Sequence, residues 1–298
     1  MSFQITDNFV EQYKANVTLL TQQKGSRLRG TVTEVTMTGK TMFVEQFGAT
    51  AAVKRTSRHG DSPLISTPSS RRALSPSDYE WGDLIDKADQ VRLLIDPTSP
   101  YSINAAYAMG RAMDDEIIRA ASDDSSKTGV DGTTNTSLPA AQTIAVDYVE
   151  SGADTDSNLT VGKLRRARDQ FGINDVDMDE TLHIVVSQSQ ITALLRDDEV
   201  TSADFNTVRA LVNGEINTYM GFQFHRTQRI AEVTATNVRT CIAYPASGIM
   251  LGIGQDITAR ITERADKSFS TYVYYSMTIG ATRLEEVKVV EILCDDDL

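Results

Sequence analysis

The segment SPYSINAAYAMGRAMDDEIIRAAS, residues 99–122, carries the clearest helical signal in the chain. Ser99 offers a side-chain oxygen at the N-cap, and Pro100 suits a first helical position, where its missing N–H leaves nothing unpaired. Ile103, Tyr107, Gly110, Met113, Ile117 and Ala121 recur every three or four residues and form one apolar stripe. Gly110 costs about 1 kcal/mol of helix propensity against Ala, so its place in the stripe predicts close packing by another element. The polar run SDDSSKTGVDGTTNTS (122–137) ends the helix in a junction or loop.

Upstream, residues 3–24 have the spacing of a short amphipathic helix through Phe9, Tyr13, Val17 and Leu20. GTVTEVTMTGKTMFVEQF (30–47) reads as strand. EWGDLIDKADQVRLLIDP (80–97) mixes helical and extended signals. Downstream, LTVGKLRRARDQFG (159–172) is a helix with Val161, Leu164, Ala167 and Phe171 inward and Gly172 as its stop. TLHIVVS (181–187) is a buried strand, and Ser187 with Gln190 makes a capping box ahead of Ile191, Leu194 and Leu195. That order implies an α/β layer. After GFQFHRTQRI (221–230) come long strands: TCIAYPASGIML (240–251), DITARITER (256–264) and STYVYYSMTIGATRLEEVKVVEIL (270–293), the last bent at Gly280.

One segment departs from the rest. In VKRTSRHGDSPLISTPSSRRALSPSDY (53–79) the part from Lys54 to Ser77 carries Lys54, Arg55, Arg58, Arg71 and Arg72 against the single acid Asp61, in a chain whose formal net charge is -12. It also holds three of the seven prolines and has few large apolar side chains, so it has no core of its own. The asymmetry is local and points to an electrostatic contact at one place. A surface this acidic otherwise repels nucleic-acid phosphates.

Composition limits the rest. With 298 residues, 40% hydrophobic and 23% charged, the chain has the makeup of one large or two ordinary globular domains. No run of about 18 apolar residues crosses a membrane, and the N-terminus has no secretory pattern. Cys241 and Cys294 are too few for a disulfide framework or a thiolate metal site.

Catalytic motifs fail on inspection. TGKT (38–41) lacks the earlier glycine of a phosphate loop, where Glu34 stands, and reads better as strand with a polar face. GIGQDI (252–257) lacks the third glycine of a dinucleotide fingerprint and lies between strands. DVDMDE (175–180) and DTDSN (154–158) lack the turn glycine and terminal acid of calcium loops. His59, His183 and His225 have no metal-ligand spacing, and His183 reads as a satisfied core histidine. No GxSxG turn is present. No catalytic residue, cofactor or metal is expected.

The order of parts resembles the major capsid protein of tailed bacteriophages, the Hong Kong ninety-seven type fold. SINAAYAMGRAMDDEII looks like that family's spine helix, and YYSMTIGATRLEEVKVVEI (274–292) resembles its closing strand. TLHIVVSQSQITALLRDD followed by GFQFHRT is similar to its axial domain. The resemblance implies an α+β fold in four parts. These are an N-terminal arm (1–48), an extended β-hairpin loop (49–80), a peripheral domain with the spine helix (81–125 and 251–283) and an axial α/β domain (126–250 and 284–298).

It further implies self-assembly as hexamers and pentamers into an icosahedral shell around double-stranded DNA, in the virion and, during assembly, the host cytoplasm. A portal protein, a separate scaffolding protein (the arm being short for a built-in scaffold) and a possible decoration protein are the expected partners, with no membrane. Lys54, Arg55, Arg58, Arg71 and Arg72 become intersubunit contacts. The alternative is a nucleic-acid-binding protein using the basic loop 53–79.

Overall fold

A computed structural model describes residues 22–86, 98–122, 126–150, 155–196, 218–230, 232–233 and 236–296. The helix expected over 3–24 lies outside these residues, except for 22–24, which are irregular. Of the mixed segment 80–97, the part up to Ile85 is strand and 87–97 lies outside the described residues, as does Asp154 at the start of DTDSN.

The long helix α1 (Thr98–Ser122) packs on a four-stranded sheet. That sheet has the order β1 (Thr33–Thr36), β13 (Ile249–Arg264), β14 (Ser270–Arg283), β4 (Ser77–Ile85). β1 runs parallel to β13 and the other pairs are antiparallel. Met109, Met113, Ile117 and Ala120 of the helix share one core with Ile249, Leu251, Met277 and Ile279. The helix is described from Thr98, so Ser99 lies inside it rather than capping it. The stripe holds from Met113 to Ala121, but Ile103 is exposed, and Ala105 and Met109 are buried in its place.

A second sheet has the order β7 (Thr143–Ile144), β15 (Val290–Asp295), β12 (Val238–Pro245), β8 (Leu182–Val186), β10 (Phe222–Arg226), β9 (Thr218–Tyr219), with β11 (Glu232–Val233) on β12. Helix α2 (Val161–Ile173) buries Val161, Leu164, Ala167 and Phe171 in this sheet's core, as the periodicity requires. The α2 terminus differs from expectation. Asn174 is the cap and Asp175, at φ 53°, makes the left-handed turn assigned to Gly172. All five residues of β8 are buried, and it runs parallel to β10, with helix α3 (Gln188–Arg196) between them in sequence. The α3 cap is half a capping box: Gln190 N donates to Ser187 Oγ at 3.4 Å, while the Gln190 side chain binds Leu159 N and Asp295 O.

The third sheet is the hairpin β2 (Met42–Phe47)–β3 (Ser69–Leu74), extended by β5 (Lys127–Thr128) and β6 (Thr134–Asn135). Residues 30–47 are thus not one strand but two, in different sheets. TGKT is the turn between them, with Gly39 at φ 93°, which corrects its reading as strand.

The long C-terminal strands are also divided. The run 240–251 breaks at a 3-10 turn, Ala246–Gly248, and 270–293 breaks at another, Glu286–Lys288. Both breaks are crossings from one sheet to the other. They lie side by side, with Leu284 N donating to Gly248 O at 2.9 Å. A strand that changes sheets has to leave its ladder, and periodicity does not record that. Gly280 sits within an unbroken β14, paired with Gly252; a Cβ there would lie 2.5 Å from Ser75 O. Its role is to admit the turn joining β3 to β4, not to bend the strand.

The basic hairpin and its anchorage

The basic segment divides into two parts with different surroundings. Residues 48–68 carry no strand, and from Phe47 to Leu64 the apolar side chains are exposed: Phe47 77%, Val53 62% and Leu64 101%. Lys54, Arg55 and Arg58 lie here, exposed, and Arg55 Nε donates to Ser57 O at 2.7 Å. Among the described residues none of these three has a carboxylate partner. A tip that exposes large apolar side chains and unpaired cations has the makeup of a contact surface.

Arg71 and Arg72 stand apart from that tip, in β3. Arg71 pairs with Glu45 across the hairpin, its Nε 2.7 Å from Glu45 Oε1, and its guanidinium lies 5.0 Å from the Phe43 ring centre. Arg72 is buried at 6% exposure. Its Nε donates to Leu284 O at 2.8 Å and its Nη2 pairs with both oxygens of Glu286. Gln46 Nε2 reaches the same Leu284 O at 2.8 Å. The hairpin base is therefore fastened to the crossing between β14 and β15. Adjacent to it, the fully buried Arg283 donates to Ala121 O and Thr136 O, tying that crossing to the end of α1. Strand alternation in SSRRAL could have separated Arg71 from Arg72; only the partner Glu286, 214 residues away, reveals which is buried.

A second anchorage lies on α1, and sequence reasoning found half of it. A Cβ on Gly110 would lie 2.5 Å from Gly25 C and Ser26 N, the close approach its place in the helix predicted. Asp114, one turn on and fully buried, accepts from Arg27 N at 3.0 Å, Leu28 N at 3.1 Å, Ser26 Oγ at 2.5 Å and Gln23 Nε2 at 2.5 Å. Buried Glu116 accepts from Tyr79 Oη at 3.0 Å and pairs with Arg119. Burial and then the Glu116 charge push the Tyr79 hydroxyl up to about 12.

Other titratable groups are held inside the fold. His183 Nδ1 and His225 Nε2 lie 3.0 Å apart on neighbouring parallel strands. Burial lowers both, and His225, also facing His183, falls to about 4. Lys163 is fully buried and donates to Val146 O, Ser157 O and Leu293 O at 2.6–3.0 Å, joining three chain segments. In the DVDMDE loop Glu180 is taken up by Ser247, which donates through N at 3.1 Å and Oγ at 2.7 Å. Among the described residues no group of three His, Cys, Asp or Glu could hold a metal ion.

The family profile described as phage capsid protein matches residues 5–296. The chain belongs to the phage capsid protein family. It is a major capsid protein, a structural component of the virion head from a non-enzymatic family. Solved phage structures share the fold over nearly the whole chain. The capsid of the cyanophage P-SCSP1u matches with a TM-score of 0.76 at 17% identity, covering 98% of this chain and 94% of that one. The capsid of Ralstonia phage GP4 matches at 0.74 and 10% identity, covering 100% and 98%. Mycobacterium phage Che8 matches at 0.72 and 14% identity, covering 96% and 97%. No curated protein sequence matches the chain significantly. The resemblance drawn from the spine-like helix and the closing strand is thus borne out for fold and family, although that closing strand is two strands.

Proposed function

We propose that copies of this capsid subunit assemble as hexamers and pentamers into an icosahedral shell around double-stranded DNA, with the 48–68 tip as the strap that lies over a neighbour. In this reading the four-stranded sheet with α1 is the peripheral domain and the seven-stranded sheet is the axial one. The observation that carries the strap is the composition of the tip: exposed Phe47, Val53 and Leu64 beside Lys54, Arg55 and Arg58, on a chain of net charge -12. A neighbour's acidic surface and apolar ridge would satisfy both at once. Many weak contacts of this kind sum to a closed shell. Arg71 serves the same strap from its stem, and Arg72 supports it indirectly by fixing the hairpin base.

A separate scaffolding protein and a portal protein complete the assembly, with a decoration protein as a further partner. Negative-stain microscopy of the full chain, expressed with and without its scaffolding protein, tests the reading. Closed shells, rings or tubes are expected, and monodisperse monomers under every condition overturn it. The nucleic-acid alternative for the loop loses its adjacent pair of arginines, since Arg71 and Arg72 are engaged by Glu45 and Glu286.

A further inference from the structure

We propose that the cleft between residues 22–27, the middle of α1 and the segment after β10 holds the phosphate backbone of the enclosed nucleic acid. The cleft has a volume of about 740 Å³ and is lined by Gln22, Gln23, Arg27, Arg111, Gln228 and Arg229. Every one of these side chains ends in an amide or a guanidinium. That is an unusual lining for a protein with 41 acids against 29 Lys and Arg. The inference rests on the reading of this chain as a shell around DNA.

The charges are poised for an oxyanion. Arg111 Nη1 donates to Gln22 Oε1 at 2.7 Å and to Gln23 O at 3.3 Å, and Arg27 donates to Arg226 O. Neither has a carboxylate partner among the described residues. Arg226, beside the cleft, reaches Gln188 Oε1 at 2.8 Å. Two carboxylates stand nearby. Asp115 pairs with Arg229, and Asp114 is buried and saturated by residues 23–28. Three guanidiniums, Arg27, Arg111 and Arg229, line the cleft against these two, so it keeps a positive excess. Gln23 is held between Asp114 and Thr227 Oγ1, which fixes the rim before any ligand arrives.

The lining also selects among anions. Among the described lining residues there is no apolar side chain to anchor a peptide, and protein interfaces draw their affinity from such buried anchors. Among them there is also no aromatic ring to stack a base. What remains is contact with phosphate oxygens, sequence-independent and strongly salt-dependent. The overall acidity keeps most of the surface from holding DNA, and this cleft is the local exception.

The test uses the full chain and a labelled mixed-sequence DNA duplex of about 20 base pairs, with anisotropy read between roughly 50 and 200 mM salt. The R27Q/R111Q double variant is expected to bind at least about tenfold more weakly at the low-salt end, with a log–log salt slope shallower by about 2. A K54Q/R55Q/R58Q variant is expected to bind like the wild type, and polyglutamate is expected to displace DNA poorly. Wild-type thermal melting of R27Q/R111Q excludes unfolding, and R111K, which keeps the charge, is expected to retain most of the affinity. Equal binding by wild type and R27Q/R111Q, no wild-type binding, loss of binding in the loop variant, or efficient displacement by polyglutamate each overturns the cleft assignment. Shell formation is scored separately by microscopy. Shells without cleft-dependent DNA binding sink only this inference, and absence of shells sinks the assembly reading.

Discussion

Arg72 in β3 and Glu286 in the link before β15 form a buried, two-oxygen ion pair that fastens the β2–β3 hairpin to the crossing between the two main sheets. The side chains are 7% and 18% exposed, so neither charge can fall back on water if the other is removed. Reversing Arg72 would therefore damage the subunit before it reached any interface.

Removing one partner of such a pair costs about 3–5 kcal/mol. R72M and E286Q are each expected to lower stability by that order, measured as the shift in urea midpoint of the unassembled subunit. Arg71 pairs at the surface, and R71Q is expected to cost less than about 1 kcal/mol. Equal effects at the two positions would disprove the division of the basic segment into buried base and exposed tip.

The tip predicts the opposite pattern. Lys54, Arg55 and Arg58 are exposed, so K54E/R55E/R58E is expected to leave subunit stability within about 0.5 kcal/mol of wild type. Shell yield, counted by sedimentation and negative stain, is expected to fall severalfold. Normal shells from this variant would remove those residues from the strap.

Gly110 sits in a helix interior, where alanine ordinarily stabilises by about 1 kcal/mol. Here the added Cβ meets backbone at 2.5 Å. G110A is expected to destabilise by roughly 1–3 kcal/mol through overpacking, read by thermal melting. Earlier proteolysis near residues 23–28 should accompany it, because the same contact holds them on Asp114.

The histidine pair predicts an acid-side loss of stability. In the unfolded chain imidazole protonates near 6.5, whereas His225 in the fold resists protonation down to about 4. Stability is therefore complete above 6.5, declines as pH falls toward 4, and levels off below that. With its partial exposure allowed for, the loss is about 2 kcal/mol. His183 faces His225, and Tyr244 and Glu180 face His183, on which the Glu180 charge works the other way. Urea midpoints from pH 7 to pH 4 are expected to fall less steeply in H225Q than in wild type, and identical slopes would exclude the pair as the cause.

Parts of this molecule were open to a reader of the residues, for identifiable reasons. The α2 face through Val161, Leu164, Ala167 and Phe171 and the buried β8 depend on neighbours within a few positions, which helix and strand periods encode; the glycine at 110 marked a close approach by its place in the stripe, but not that its partner is Gly25 and Ser26. The order of those elements sufficed for the family resemblance. The anchoring acid Asp114 stands in the acidic run 114–116, where nothing local distinguishes a saturated buried carboxylate from a solvated one.

The basic character of 53–72, the helix over α1 and the strand character of the C-terminal third were properties of the sequence by itself, since charge, periodicity and β-branching are written residue by residue. Where those strands change sheets, which of two adjacent arginines is buried, and which guanidiniums line the cleft beside α1 were decided by tertiary structure alone. Each depends on a partner far along the chain: Gly248 beside Leu284, Glu286 beside Arg72, Arg229 across from Arg27. Burial and ion pairing are set by what the folded chain brings within a few ångströms, and a local pattern carries no record of that distance.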